Sequence, residues 1–187
     1  MIKRKKKEKI KLEYGIKVNN IKAEDISTLR REKWVGEELQ NGQIVNGIVT
    51  GIKPYGAFIQ IENGAVGLIH IEDISVARIK SPFERLNIGQ NVKVVVKSID
   101  REQKRVTLSY KEILGTWEEN AKKFEVGSTV VGKVRETEKS KNGIFIELTP
   151  NLVGLAEYKE GMEYGQEVDV YIKNIIPEKK KVKLIIV

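Results

Sequence analysis

The chain has 187 residues with 40% hydrophobic content, which is enough to build the core of one ordinary domain or two small ones. It has no cysteine and one histidine, which excludes a disulfide framework, a cysteine-based zinc site and the usual histidine clusters, so we expect no metal or other cofactor. The net charge of +8 favours a polyanionic partner, and the absence of a long apolar run or a secretory signal predicts a soluble, cytoplasmic protein without a membrane partner.

The N-terminal segment carries much of the positive charge. The run KRKKKEK at residues 3–9 is too charged to pack and predicts a disordered tail, and residues 25–39 have the composition of a helix. Residues 1–41 have an excess of five positive charges, residues 42–114 an excess of three, and residues 115–187 are neutral. Any nucleic-acid interface should therefore lie towards the first half of the chain.

An internal repeat organises the rest of the sequence. The segment YGAFIQIENGAVGLIH (55–70) matches NGIFIELTPNLVGLAE (142–157), and IGQNVKVVVKSI (88–99) matches YGQEVDVYIKNI (164–175). Each copy begins after a Trp-led segment and ends in a short β-branched run, KRVTLSY or KKVKLII. The order of the segments is the same in both copies, which indicates two versions of one fold.

Each copy predicts about five strands separated by glycines, with no helix long enough for a βαβ crossover. In one predicted strand Val92, Val94 and Val96 share one face, while Lys93, Val95 and Lys97 share the other. Five strands in about 70 residues favour a small closed barrel, because closure removes exposed sheet edges. The first copy also inserts SVARIKSPFER (75–85), and TWEE (116–119) has the capping-box pattern of a short helix between the copies.

The first copy closely resembles the S1-type RNA-binding domain, an oligonucleotide-binding (OB) barrel. The resemblance covers residues 39–111 and is carried by GIVTGIKPYGAFIQI, GLIHIEDIS and IDREQKRVTLS, and the second copy resembles the same family more weakly. It implies an all-β protein of two tandem five-stranded OB-fold barrels joined by a short helix. We expect a tail and helix at residues 1–38, the first barrel at 39–111, a helical linker at 112–123 and the second barrel at 124–187.

The resemblance also implies an RNA-binding face on the first barrel. Carried onto this sequence, its aromatic pair, histidine, acid and base fall on Tyr55, Phe58, His70, Asp100 and Arg105. Phe58 shares its predicted strand face with Gln60, away from the apolar positions, as a stacking platform would. Two alternatives stay open: Tyr55 could brace its turn, and Asp100 and Arg105 could form an exposed ion pair. The remaining candidates for RNA contact are Lys93, Lys97, Arg101, Lys104 and, in the second copy, Phe145.

The second copy departs from this pattern. Asn142 stands where the first copy has Tyr55, and Glu157 stands where it has His70. Phe145 is retained, with Glu147 predicted on the same outward face. We expect these carboxylates to repel phosphates, and we expect the second copy to serve packing or protein docking instead.

By the same resemblance, the leading prediction is a non-catalytic protein that binds single-stranded RNA, mRNA in particular, and is linked to translation and the small ribosomal subunit. An enzyme is not expected, since the sequence has neither a spaced acidic motif nor a phosphate-binding glycine loop, and no small-molecule substrate is indicated. The alternative is a protein-docking adaptor, or a regulator of RNA metabolism, whose second barrel binds protein.

Overall fold

A computed structural model describes residues 33–137 and 143–187, and over these residues the chain forms ten strands. The first five are β1 (Ile44–Lys53), β2 (Gly56–Ile61), β3 (Val66–His70), β4 (Asn91–Asp100) and β5 (Arg105–Ser109). The next five are β6 (Thr129–Glu136), β7 (Gly143–Thr149), β8 (Leu152–Glu157), β9 (Glu167–Ile176) and β10 (Lys181–Ile186). The predicted tail and most of the predicted helix at 25–39 lie outside the described residues, and Val35–Glu38 forms a 3₁₀ turn.

The strands close into two barrels of identical topology. Barrel 1 has the order β1-β2-β3-β5-β4, and barrel 2 has the equivalent order β6-β7-β8-β10-β9. The prediction of an all-β fold with two five-stranded barrels is confirmed. Both barrels belong to one compact unit, residues 35–187.

Period-two alternation builds both cores. In β2 the side chains of Ala57, Ile59 and Ile61 are buried, while Phe58 is half-buried and Gln60 is exposed. The core of barrel 2 is made in the same way by residues that include Val134, Ile144, Ile146, Leu152 and Ile172. The predicted alternation in β4 is incomplete, because Val95 is buried together with Val92, Val94 and Val96.

Equivalent glycines allow the strands to cross closely in the two barrels. A Cβ atom at Gly47 would lie 2.5 Å from Ile59 Cγ2, and one at Gly132 would collide with the corresponding methyl group of Ile146. Both sites lie in the first strand of their barrel, two residues before a break in register with the second strand, at Val49/Gly51 and Val134/Glu136. The two barrels therefore share their packing details as well as their topology.

The predicted linker helix is present as α1 (Trp117–Ala121), preceded by a 3₁₀ turn at Lys111–Leu114. Thr116 and Glu119 form the expected capping box. The side-chain amide of Asn120 donates to the carbonyls of Leu114 (3.0 Å) and Thr116 (2.9 Å), and its oxygen accepts from Thr149 of β7. The first two bonds brace the linker internally, and the bond from Thr149 attaches it to barrel 2.

The largest difference between the barrels is the connection from the third to the fourth strand. It occupies residues 71–90 in barrel 1 and residues 158–166 in barrel 2. In barrel 1 it forms 3₁₀ turns at Ile71–Asp73 and Pro82–Glu84, and it buries Ile74, Ala77 and Leu86 almost completely. The predicted helical connection within 75–85 is thus a single 3₁₀ turn, begun by a capping box at Ser81.

Candidate nucleic-acid interface

The outer face of barrel 1 carries an aromatic pair. Phe58 lies on β2, and Tyr55 lies in the turn just before it, with 52% of its surface exposed. Their ring centroids are 6.3 Å apart in an edge-to-face arrangement, a favourable geometry for an aromatic pair. Gly51 of β1 lies beneath the Phe58 ring, because a Cβ there would be 3.7 Å from Phe58 Cδ2.

Strand pairing places His70 beside this pair. His70 is opposite Gly56 across β2 and β3, and the amide of Ile71 donates to the carbonyl of Tyr55 at 2.9 Å. The imidazole side chain is exposed. Tyr55, Phe58 and His70, which the sequence predicted as one site, are therefore brought together on one face.

The predicted charged residues lie at the other end of the same face. Asp100 and Arg105 are direct partners at the turn that joins β4 and β5, and β5 continues alongside β3. The Asp100 carboxylate accepts the amide of Gln103 at 2.9 Å, and no ion pair joins it to Arg105 in the described structure. The hairpin-closing ion pair considered as an alternative is absent from this turn, and the Arg105 side chain is exposed.

Arg101 and Lys104 occupy the same β4–β5 turn and are exposed. Lys104 has a left-handed backbone with φ of 53°, and Lys180, at the equivalent place in barrel 2, has φ of 47°. The turn thus presents a group of cationic side chains at one rim of barrel 1.

The remaining two predicted lysines do not join the aromatic end. Lys93 is opposite Asn46 on the far side of β1, where it lines a shallow depression of about 690 Å³ with Ile48 and Gln60. Lys97 donates two hydrogen bonds of 2.9 Å to Asp73, a carboxylate whose side chain is 5% exposed. The hydrogen bond to Asp73 raises the pKa of Lys97, so this cation is already neutralised by the protein.

The equivalent face of barrel 2 lies against barrel 1. Phe145 is half-buried on β7, as Phe58 is on β2, but Glu147 two residues later is buried. Its carboxylate accepts from Arg85 of barrel 1 and from Arg135 of β6, the latter at 2.5 Å. The expectation that Glu147 faces solvent and repels phosphates is wrong, because two guanidinium groups neutralise it. Asn142, the counterpart of Tyr55, lies outside the described residues.

Five side chains form this contact, which we call the inter-barrel cluster: Glu84, Arg85, Arg135, Glu147 and Tyr164. Arg135 has a side chain only 2% exposed, and it bonds Glu84 at 2.6 Å and the Tyr164 hydroxyl at 3.0 Å. Burial disfavours the Arg135 cation, but hydrogen bonding and attraction from Glu147 more than offset this, so the pKa of Arg135 is raised.

The inter-barrel cluster also supplies hydrogen-bond partners for the Tyr164 hydroxyl. Its hydroxyl accepts from the Lys80 amide at 3.0 Å and donates to Glu84 at 2.9 Å, and the Lys80 ammonium lies 4.2 Å from the ring centroid. Burial and the bond to Glu84 raise the pKa of Tyr164. Sequence reasoning missed this cluster; its one visible signal was Glu84 and Arg85 in an insertion confined to the first copy.

A second set of bonds joins the barrels beside the linker. The amide of Ala77 donates to the carbonyl of Pro150 at 2.9 Å, and Asn151 donates to the carbonyls of Lys111 and Gly115.

Within residues 33–137 and 143–187 no group of acidic and histidine side chains could hold a metal ion. Over the same residues, no helix has the length and apolar character needed to cross a bilayer.

Residues 38–111 match the family model described as the S1 RNA binding domain. The chain is 34% identical over 171 residues to small ribosomal subunit protein bS1 of Rhizobium meliloti, covering 84% of this chain and 30% of that protein. It is also 34% identical over 165 residues to a 4-hydroxy-3-methylbut-2-enyl diphosphate reductase of Clostridium acetobutylicum, covering 82% of this chain and 25% of that protein. The chain thus spans less than a third of either relative.

Among solved structures, the solution structure of GSP13 from Bacillus subtilis is similar with a TM-score of 0.40 and 30% identity. That similarity covers 42% of this chain and 61% of the other.

Proposed function

We propose, from the membership of residues 38–111 in the S1 RNA binding domain family, that this chain is a non-catalytic protein that binds single-stranded RNA. The observation that carries the proposal is the pairing of Tyr55 and Phe58 on a face that also presents His70. Exposed rings stack on unpaired bases, and each stacked base contributes about 1 to 3 kcal/mol.

The charged end of the face supplies the complementary contacts. Arg101, Lys104 and Arg105 cluster in one turn, where they would attract the phosphates that accompany stacked bases. Asp100 shapes that turn through its bond to Gln103, which supports a positioning role for it. Lys97 contributes less than the sequence suggested, because Asp73 holds it.

The proposed setting is translation. Similarity to small ribosomal subunit protein bS1 supports mRNA as the RNA, the small ribosomal subunit as a partner and the cytoplasm as the location. The reductase name is not carried over, because the similar region is a quarter of that protein. We accordingly propose no small-molecule substrate.

Barrel 2 has a supporting role in this proposal. Its face equivalent to the RNA-binding face is the one that contacts barrel 1 through Arg135 and Glu147. This supports docking as the role of that face, with barrel 1 as the docked protein. We also propose the domain bounds 1–38, 39–111, 112–123 and 124–187, and the bonds of Asn120 and Asn151 support the linker at 112–123.

Competition binding tests the proposal. A labelled single-stranded RNA is bound to the full chain at physiological salt. Unlabelled single-stranded RNA and duplex DNA of equal length are then compared as competitors. We expect the single strand to compete far better, because exposed rings cannot reach bases buried in a duplex. Equal competition would contradict the proposal, and ribonuclease-sensitive sedimentation with small subunits would test the setting.

A further inference from the structure

Barrel 2 has a groove beside the β6–β7 face that contacts barrel 1, since the lining residue Leu155 is the strand partner of Phe145. It has a volume of about 650 Å³ and is formed where β8 and the residues after it separate from β10. Its lining includes five polar side chains, Glu157, Tyr158, Lys159, Lys173 and Lys183, over an apolar floor that includes Leu155 and Ile185. We call this surface the basic groove.

The corresponding place in barrel 1 is filled by the protein itself. There the 3₁₀ turn Ile71–Asp73 lies against the end of β5, with the Tyr110 amide donating to the Asp73 carbonyl at 2.9 Å. The Asp73 carboxylate binds Lys97 and, at 3.4 Å, Lys111. Both the space and the cations of barrel 1 are thus used internally.

Barrel 2 lacks the 3₁₀ turn, and Glu160, the carboxylate three residues after β8, neither lines the groove nor forms an ion pair with Lys173. Its shorter connection begins with Tyr158 and Lys159, and Lys173 occupies the strand position that Lys97 has in barrel 1. Lys159, Lys173 and Lys183 are exposed and form no ion pair with any residue the structure describes. The loss of the insertion therefore leaves a groove open and three ammonium groups without an internal counterion.

Charge and shape together favour one kind of occupant. The lining carries three lysines against one carboxylate, Glu157, although residues 115–187 as a whole are neutral. Tyr158 is 36% exposed and presents an aromatic ring beside these cations. Lysines that track phosphates, next to a ring on which a base can stack, are the combination by which proteins hold single-stranded nucleic acid.

We infer that the basic groove is a second contact site for single-stranded RNA, with Tyr158 stacking on a base and Lys159, Lys173 and Lys183 binding phosphates. The inference rests on the proposed function and extends it from barrel 1 to barrel 2. It assigns barrel 2 a role in RNA binding through Tyr158, Lys159 and Lys183, none of which stands at the position of a predicted RNA-binding residue of barrel 1, together with Lys173 at the position of Lys97.

Matched substitutions in the full chain test the inference. Lys173→Ala/Lys183→Ala is compared with Lys122→Ala/Lys179→Ala, which removes the same charge from exposed positions outside the groove. Tyr158→Ala is compared with Tyr171→Ala, since Tyr171 is 38% exposed on the same barrel but does not line the groove. Binding is measured with an oligouridylate of about 30 nucleotides, since one OB fold covers up to about 16.

We expect the groove lysine pair to weaken binding on the order of tenfold at 0.15 M salt. The slope of log affinity against log salt should fall by about 1.4, since each phosphate contact contributes about 0.7. Tyr158→Ala should weaken binding by about fivefold or more and leave the slope unchanged. Both control variants should bind as the unmodified chain does.

The Phe58→Ala variant distinguishes failure of the groove inference from failure of the proposed function. If Phe58→Ala weakens binding while the groove variants match their controls, the basic groove is not an RNA site and the proposed function stands. If neither Phe58→Ala nor the groove variants weaken binding, both fail. An oligoaspartate peptide supplies the last comparison: if the groove variants lose affinity for the peptide and not for RNA, the groove binds acidic peptides and the inference is overturned.

Discussion

The β1–β2 face of barrel 1 and the β6–β7 face of barrel 2 have the same fold and register but opposite surroundings. On barrel 1 the face carries Tyr55 and Phe58 and stays open. On barrel 2 the equivalent face carries Arg135 and Glu147, both buried in the inter-barrel cluster. The difference arises outside the strands, because Glu84 and Arg85, which cover the barrel 2 face, come from an insertion present only in barrel 1. A repeat can thus keep its fold while a neighbour takes over its binding face.

The largest effect should come from breaking the contact that distinguishes the two faces. Arg135→Met removes a cation that is 2% exposed and leaves Glu84 and Tyr164 without their central partner. We expect a loss of about 3 kcal/mol in the free energy of unfolding, the lower end for breaking a buried ion pair, since Arg85 still neutralises Glu147. Urea denaturation measures the loss.

Arg101→Met serves as the control for Arg135→Met. Arg101 is exposed in the β4–β5 turn, and surface substitutions usually change stability by less than about 0.5 kcal/mol. Similar losses in the two variants would mean that the inter-barrel cluster does not stabilise the pair of barrels.

A second prediction compares the two equivalent phenylalanines directly. Phe58→Ala should weaken RNA binding by about 1 to 3 kcal/mol with little change in the salt slope, since the ring stacks and carries no charge. Phe145→Ala should change RNA affinity little, because Glu147, its neighbour on the same strand face, is bound by Arg85 of barrel 1. Fluorescence anisotropy with one labelled RNA measures both variants.

Folding is the control for this pair. Both rings are half-buried, so neither substitution should cost the roughly 3 to 5 kcal/mol of a core phenylalanine. Equal losses of RNA affinity in two folded variants would show that both faces bind RNA and that our contrast between them is wrong.

Lowering the pH should have a smaller effect on the stability of the folded chain. Burial alone would raise the pKa of Glu84. Hydrogen bonds from the Lys80 amide, Tyr164 and Arg135 outweigh burial and lower the pKa of Glu84 below its ordinary value of 4.5. The folded state therefore favours the charged carboxylate, and this stabilisation is complete above pH 4.5 and is lost as the pH falls through the lower folded value. Unfolding of the unmodified chain should thus depend more steeply on pH, between about 5 and 3, than unfolding of Glu84→Gln.

Glu102→Gln is the matched control for the acid experiment, because Glu102 is exposed in the β4–β5 turn and outside the cluster. It should leave the pH dependence of stability unchanged. A Glu84→Gln profile that overlays the unmodified one would show that the cluster does not depend on the Glu84 charge.

The smallest effect concerns the N-terminal tail, which lies outside the described residues. If the tail binds phosphates in addition to those bound by barrel 1, deleting residues 1–11 should flatten the salt dependence of RNA affinity. The slope should fall by about 0.7 for each phosphate that the shortened chain no longer binds. The measurement is affinity at a series of salt concentrations. An unchanged slope would assign the electrostatic attraction to the barrels alone.

The barrels could be predicted because alternation and glycine spacing are local properties that recur in both copies. The same alternation placed Phe58 and Glu147 on the outward faces of β2 and β7, and both lie there. It could not predict that Glu147 is buried, since alternation says on which side of a strand a residue lies and not what covers that side. Covering depends on contacts between distant segments, such as the one between Arg85 and Glu147.

The same reasoning applies to the predicted lysines. Lys97 appeared as a surface cation because nothing in its own strand opposes it. Asp73, which binds it, reaches it only through the turn that ends the short strand β3. The candidate RNA-binding residues stay predictions, and the structure adds which of them lie close together.

The inter-barrel contact also gives the repeat a direction. Barrel 1 supplies Glu84 and Arg85 from its connection, and barrel 2 receives them on its β6–β7 face, so the contact is heterologous, with a different surface on each side. Because the connection at 158–166 has no counterpart of this segment, barrel 2 cannot offer the same contact onward. The contact is therefore directional, from barrel 1 to barrel 2. Exchanging the order of the two barrels would remove the contact while leaving every strand intact.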